Sequence, residues 1–354
     1  SPRLALDLNA TKIDLDPHLP IQPVTEVKSK AKGKAVKDPR RWLFGTQSLG
    51  LDNIPLMNGR IGLNVSELVL PNGITLPGFL LKASLLDTSG GTMRVDQLRT
   101  GFGEGVLMAD GTISQYTTAN PSIRLRGHAR DFSLEKLINQ MDAAKAFGQV
   151  KGGQGEFAFH LEGQGSSLRS LVSNLNGEVQ VSVNSATLPT SMVSSAGDFF
   201  VSIVNTINPL YAKSATSQLQ CVSAYLPIRN GLLPINNTIG IQTDQLNVLL
   251  NGQVDLKQEQ MNINIQSAQR SGLTTGVNPA GWIVIEGTFL HPTWGINKTG
   301  VVKQAASVGL AVVTSGLSLA AQNVLSVATN SNPCQNVLKP WSTIDGQLMS
   351  KAAQ

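Results

Sequence analysis

Gly153-Gln154-Gly155-Glu156-Phe157-Ala158-Phe159-His160-Leu161-Glu162-Gly163-Gln164-Gly165-Ser166-Ser167 is the stretch that decides the class of fold. Apolar residues fall on alternate positions, Phe157, Phe159 and Leu161, which is the spacing of a half-buried strand and not of a helix. The glycines on either side suit a strand entered and left through tight turns. Gly177 then leads into Val179, Val181 and Val183 in the same way.

The pattern recurs outward from this point. Gly59 precedes Ile61, Leu63 and Val65, and Gly252 precedes Val254 and Leu256. One strand-and-turn unit is used repeatedly, at a spacing too irregular for a solenoid, which counts against an exported β-solenoid adhesin. Further strands are expected at Leu68 to Leu70, Phe79 to Leu85, Met93 to Leu98, Ile123 to Leu125, Ile241 to Leu250, Met261 to Ile265 and Trp282 to Phe289. So many strands cannot form one flat open sheet without strong curling or a covered face. Abundant glycine (34 residues) with only 14% charged and 5% aromatic residues agrees with a mainly β chain rich in turns.

Helical spacing appears in a few places. After Ser133 as N-cap, Leu134, Leu137, Ile138, Met141 and Phe147 form one stripe that Gly148 ends. A short helix follows Ser166 and Ser167, with Leu168, Leu171, Val172 and Leu175 on one face. A third carries Phe199, Phe200, Ile203, Val204 and Ile207 and stops at Pro209. The 26 residues from Gln304 to Thr329 carry no charge but many Ser, Gln, Asn and Thr side chains, so a packed or interfacial helix is expected there in preference to a membrane span.

The net charge of +5 is local: seven Lys and Arg against one Asp between Lys28 and Arg41 give +6, leaving about −1 for the remainder. Such a tract, without interleaved aromatics and among Ala, Gly, Pro and Ser, is a solvated linker or a contact with anionic headgroups. Nucleic-acid binding would need basic residues spread over a folded face. The domains expected are the end of a preceding β region at 1–21, a basic flexible linker at 22–45, a β domain with short helices at 46–300 and a helical tail at 301–354. Nothing resembling a signal peptide opens the chain, so an excised portion of a longer protein is expected.

The residues that could carry chemistry do not assemble into a motif. His18, His128, His160 and His291 sit in separate segments, with no pair at metal-ligand spacing. Gly101 to Gly105 and Gly163 to Ser167 have the glycine density of phosphate loops but lack the Lys and the βαβ context, and are expected as turns. Asp87-Thr88-Ser89-Gly90 is expected as a polar hairpin turn, and there is no Gly-x-Ser-x-Gly elbow. No enzyme, metal site or cofactor is expected. Cys221 and Cys334 are the two cysteines, and their spacing alone allows either one long-range disulfide or two unrelated buried thiols.

Taken in order, several segments resemble the AsmA family, and in particular its C-terminal region. They are Leu4-Ala5-Leu6-Asp7-Leu8 with Ile13-Asp14-Leu15-Asp16; Ile54 to Ile61 with Ile74 to Phe79; the stretch Gly153 to Ser167 running on to Leu175-Asn176-Gly177-Glu178-Val179; and, after Cys221, Ile228-Arg229-Asn230-Gly231, Gly252 to Leu256 and Ile285 to Pro292. The resemblance covers nearly the whole chain and rests on the order of these pieces, each of which is a β-turn pattern. It implies a mainly β architecture: a long curved antiparallel sheet forming an apolar groove, of the bridge-like lipid-transfer type, with a few packed amphipathic helices. It implies a periplasmic location, in a parent anchored in the inner membrane by an N-terminal segment absent from this sequence. It also implies, through the oxidising compartment, a disulfide between Cys221 and Cys334.

What such a protein would do is handle phospholipid or another envelope lipid between inner and outer membrane in support of outer-membrane assembly, without catalysis. Acyl chains would lie on the strand apolars Ile61, Leu63, Val65, Phe157, Phe159, Val179, Val181, Val183, Ile241, Leu246, Val248 and Leu250, which could equally form a closed, dry core. Membrane contact and envelope protein partners are compatible with this role, and nucleic acid is not. A competing expectation is a scaffold that binds envelope proteins through its sheet edges and carries no lipid.

Overall fold

The computed structural model describes residues 3–15, 42–70, 75–140, 150–189, 216–244, 246–269, 283–290, 292–296 and 332–340. They form a mainly β structure, one long, curved, unclosed sheet of 15 strands that is almost entirely antiparallel. The strands are β1 (Arg3–Asp14), β2 (Asn58–Val69), β3 (Thr75–Leu86), β4 (Thr92–Phe102), β5 (Gly105–Ser114), β6 (Ser122–Ser133), β7 (Lys151–Gly152), β8 (Gln154–Gln164), β9 (Asn176–Pro189), β10 (Thr216–Ile228), β11 (Leu232–Thr243), β12 (Leu246–Asp255), β13 (Gln260–Gln269), β14 (Ile283–Thr288) and β15 (Pro292–Ile296). Each pairs with its neighbour in sequence, apart from the two-residue β7, which sits against β9. β1 and β2 are parallel, so β1 enters from the same end as β2. The short helices α1 (Leu134–Gln140), α2 (Leu168–Ser173) and α3 (Pro333–Val337) pack on this sheet.

Strand periodicity is interrupted at defined points, and bulges absorb the interruptions. In β4 the register shifts between Val95 and Leu98, so these two apolar residues share a face despite their odd spacing. β6 does the same between Ala129 and Phe132, with Asp131 at φ 55°; in β11 the register shifts between Asn236 and Ile239, with Asn237 at φ 56°, and leaves Ile235 and Ile239 on one face. Asp and Asn enter this left-handed region more readily than other L residues, which fits them for the bulge. A fourth shift in β10, between Leu219 and Cys221, keeps Leu219 and Val222 packed in one cluster.

Several expectations need correction. Ile241 to Leu250 is two strands, because β11 ends at Thr243 and β12 starts at Leu246. Gly252 lies inside β12, opposite Ile235 and Ile263, and does not open a strand. The strands β5, β10 and β15 and most of β11 were not anticipated. Ser133 does cap α1, its hydroxyl accepting from the Lys136 amide at 3.3 Å, and Ser167 caps α2 in a reciprocal pair with Ser170. The turns at 87–91 and 103–104 join hairpins as expected. The helix at 199–207, the uncharged stretch 304–329 and the part of the first helical stripe beyond Gln140 lie outside the described residues, as do His18 and His291. No described helix is long and apolar enough to cross a membrane.

Of the linker expected over 22–45, only residues 42–45 are described, and they are bound to the sheet's end. The Leu43 and Phe44 amides donate to the Glu259 carboxylate, and the Phe44 and Phe289 rings meet edge to face at 6.1 Å. β1, expected to belong to a preceding region, is the first strand of the same sheet.

Candidate functional site: an apolar sheet face

Residues opposite each other in a sheet point to the same side, so the register traces each face from strand to strand. Leu8 opposes Leu63, which opposes Leu81, then Leu98, Ala109, Gly127, Phe159, Val179 and Leu226. A second line runs from Phe157 through Val181, Ala224, Ile239 and Leu250 to Ile265. One face therefore presents apolar side chains over nearly the full width of the sheet.

The structure brings the expected lipid-contacting residues onto this one face. Ile61, Leu63 and Val65 lie on β2, Phe157 and Phe159 on β8, Val179, Val181 and Val183 on β9, Ile241 on β11, and Val248 and Leu250 on β12. Leu246 opens β12 opposite Gln269. Val65, Val183 and Val248 are buried; Ile61, Leu63, Phe157, Phe159, Val179, Val181, Ile241 and Leu250 are half-buried, and Leu8 at the edge is 49% exposed.

Glycines on this face make room for large neighbours. A Cβ on Gly127 would come within 2.8 Å of the Phe159 ring, and one on Gly155 within 2.3 Å of the Phe132 ring. Each ring thus lies over the adjacent strand. Phe102, Phe132 and Phe157 form a cluster with ring centroids 5.5 to 6.1 Å apart in tilted, edge-on geometry, and Phe159 stacks on Phe157 at 6.1 Å.

Helices cover this face locally. Leu134 and Leu137 of α1 pack on Ala129, Phe132 and Val183, while Leu134 and Ile138 also pack on Val150, Ala186 and Leu219. At the opposite end of the strands, Leu175, just after α2, packs on a cluster built from Ile228, Leu233, Ile235 and Ile263.

The other face is polar. Its charges pair across strands, as Arg126 with Asp110 at 2.8 Å and Arg124 with Glu162 at 3.1 Å. Further along, on β9 and β10, the Ser182 and Ser223 hydroxyls lie 3.0 Å apart. A depression of about 600 Å³ over β1 to β4 is lined in part by Asp7, Arg60, Lys82, Arg94 and Asp96 of this polar side.

The residues 332–340 are fastened to the polar face. Cys334 forms a disulfide with Cys221, with Cα atoms 6.3 Å apart, as the family resemblance implied. Gly240 lets the strap approach, since a Cβ there would sit 2.5 Å from the Pro333 carbonyl oxygen. Val337 packs on Leu249, and the buried Gln180 side chain bonds to both backbone groups of Lys339. Tyr225, beneath the Lys339 ammonium, donates to Glu178 at 2.6 Å. Burial, the bond to Glu178 and its charge raise the Tyr225 hydroxyl from 10.0 to about 12. Sequence reasoning missed Gln180, because nothing local marks a strand glutamine as a partner for a segment so distant in the chain.

His128 and His160 belong to β6 and β8 on the polar side, and among the described residues no three His, Cys, Asp or Glu side chains cluster as metal ligands. No family model matches the chain, and no curated protein or solved structure matches it.

Proposed function

We propose that this chain is an AsmA-like, non-enzymatic protein of the periplasm that shelters the acyl chains of phospholipid in a trough formed by its apolar face, serving transfer between inner and outer membrane. The observation that carries this reading is the continuous apolar face from β1 to β13, most of whose side chains are only half-buried. A dry core of that composition would be closed by a second layer; among the described residues α1 and α2 cover parts of the two ends. Sheltering hydrocarbon from water is worth about 0.8 kcal/mol per methylene, so binding needs no specific chemistry and transport no catalyst. The polar face keeps such a protein wetted on its other side. A parent anchored in the inner membrane by a preceding segment fits this role.

A scaffold that binds envelope proteins is the second reading, and the open edge at β1 favours it. That twelve-residue strand has no described partner on its outer side, and Leu4, Leu6 and Leu8 are exposed. Lipid extraction from the purified protein followed by mass spectrometry separates the two. Stoichiometric phospholipid, together with crosslinking to lipid from a photoreactive residue at Val181, supports the trough; lipid-free protein with an unlabelled Val181 position overturns it.

A further inference from the structure

The turns after β3, β5, β8, β10 and β12 all lie at the end of the sheet where β2 begins. Residues 42–57 run along this end, fixed at several places. At its start, the Leu43 and Phe44 amides and the Arg169 guanidinium (2.9 Å) all bond to the carboxylate of Glu259, which is 1% exposed. Trp42 covers the other side of that guanidinium, with its ring centroid 3.3 Å away. In the middle, Leu49 donates to the Ser166 carbonyl at 2.8 Å, and the Arg169 amide donates to the Gly45 carbonyl at 3.0 Å. Near its finish, the fully buried Tyr116 donates its hydroxyl to the Pro55 carbonyl at 3.0 Å.

Glu259 is an unusual residue for its position. Its backbone has φ 51°, a left-handed conformation that costs a glutamate more than a glycine or an asparagine. Its side chain is also withdrawn from water, which for a carboxylate is tolerable only with charge pairing and hydrogen bonds of the kind found here. A turn between β12 and β13 needs neither feature. Both are accounted for if the turn exists to present a carboxylate to the incoming strap.

We infer that residues 42–57 are a stop that closes this end of the apolar face, with Glu259 and Arg169 as its latch. The inference rests on the lipid-sheltering reading. Acyl chains lying along the strands would end against the strap and α2, over the cluster of Ile228 and Ile235, and would not project past the turns. Glu259 and Trp42 are then positioning residues that limit what the face holds, without touching the lipid headgroup.

The test uses the whole chain, with hydrogen exchange at the Leu43 and Phe44 amides and transfer of a fluorescent phospholipid between phosphatidylglycerol-containing vesicles. Glu259→Gln leaves Arg169 without its counter-charge and spoils one amide bond, and is expected to speed exchange at both amides about tenfold and to change the transfer rate. Trp42→Ala, which removes only the outer layer of the latch, should shift both readings in the same direction by less, and covers the case in which Glu259→Gln does not fold. Fast exchange at these amides in the unaltered protein overturns the latch whatever the lipid result. A loosened strap with unchanged transfer overturns the stop while leaving the lipid reading in place. Slow exchange in the unaltered protein, with no transfer by any of the three proteins, overturns the lipid reading and the stop with it.

Discussion

The Gln180 side chain pairs with Lys339 as a neighbouring strand would: its Nε2 donates to the Lys339 carbonyl at 3.0 Å and its Oε1 accepts from the Lys339 amide at 2.8 Å. Gln180 is fully buried, so neither bond has water as a ready substitute. Gln180→Ala is expected to cost about 1–3 kcal/mol by leaving both backbone groups unpaired. Denaturant unfolding under oxidising conditions measures this. Unchanged stability would mean that the strap is held by the disulfide alone.

Reduction of Cys221 to Cys334 releases a crosslink that spans 113 residues of sequence. Loop-closure entropy puts the loss at about 4–5 kcal/mol, and residual structure in the unfolded chain lowers it. Comparing denaturation midpoints with and without reductant reads the effect, and equal midpoints contradict it. The packing of Val337 on Leu249 and the Gln180 bonds should still keep residues 332–340 docked at moderate denaturant.

Gly177 has φ 125°, and a Cβ there would sit 1.9 Å from the His160 carbonyl oxygen. Gly177→Ala therefore forces β8 and β9 apart where Gly177 opposes Leu161, and about 2 kcal/mol or more should be lost. A thermal melt of the variant within error of the parent would refute this close approach.

Leu63 lies half-buried on the apolar face, in the middle of β2. Leu63→Asp should lower the amount of phospholipid recovered with the purified protein while the circular dichroism of a β protein persists, because a charge there opposes hydrocarbon more than it opposes folding. Equal lipid recovery from variant and parent would count against this face as the binding surface.

Tyr225 offers a reading by pH. Its hydroxyl is raised from 10.0 to about 12 in the folded protein, so the folded state holds this proton more tightly than the unfolded chain. The resulting stability is complete below pH 10 and is lost as pH rises from 10 towards 12. A tyrosinate absorbance titration of the folded protein should show a late component that Tyr225→Phe removes. Ionisation of Tyr225 near the ordinary value would disprove the raised pKa.

Much of the sheet was legible in the sequence because period-two runs such as Phe157 to Leu161 and Val179 to Val183 state their own pleat. The shared face of β2, β8, β9 and β12 followed from the same alternation. Where alternation fails, so did the reading. Leu107, Ala109 and Gly111 of β5 fall on the apolar side, but small residues there hide the period, and the bulge at Asp131 breaks it outright. The run Ile241 to Leu250 conceals a turn because residues on both sides of it are apolar. Trp42 to Phe44 follow directly on a basic tract, and only the contact with Glu259, 215 to 216 positions away, separates them from it. Long-range partners of this kind leave no mark on local composition.

That contact also orders the assembly of the chain. Every antiparallel hairpin of the meander joins consecutive strands and can zip as soon as its second strand exists, so growth proceeds from one rung to the next at small entropic cost. Leu43 has no anchor until Glu259, far downstream, has been built. The strap can thus dock at Pro55, Leu49 and Gly45 once Tyr116, Ser166 and Arg169 exist, but its first residues stay unlatched in a nascent molecule until the turn between β12 and β13 is made.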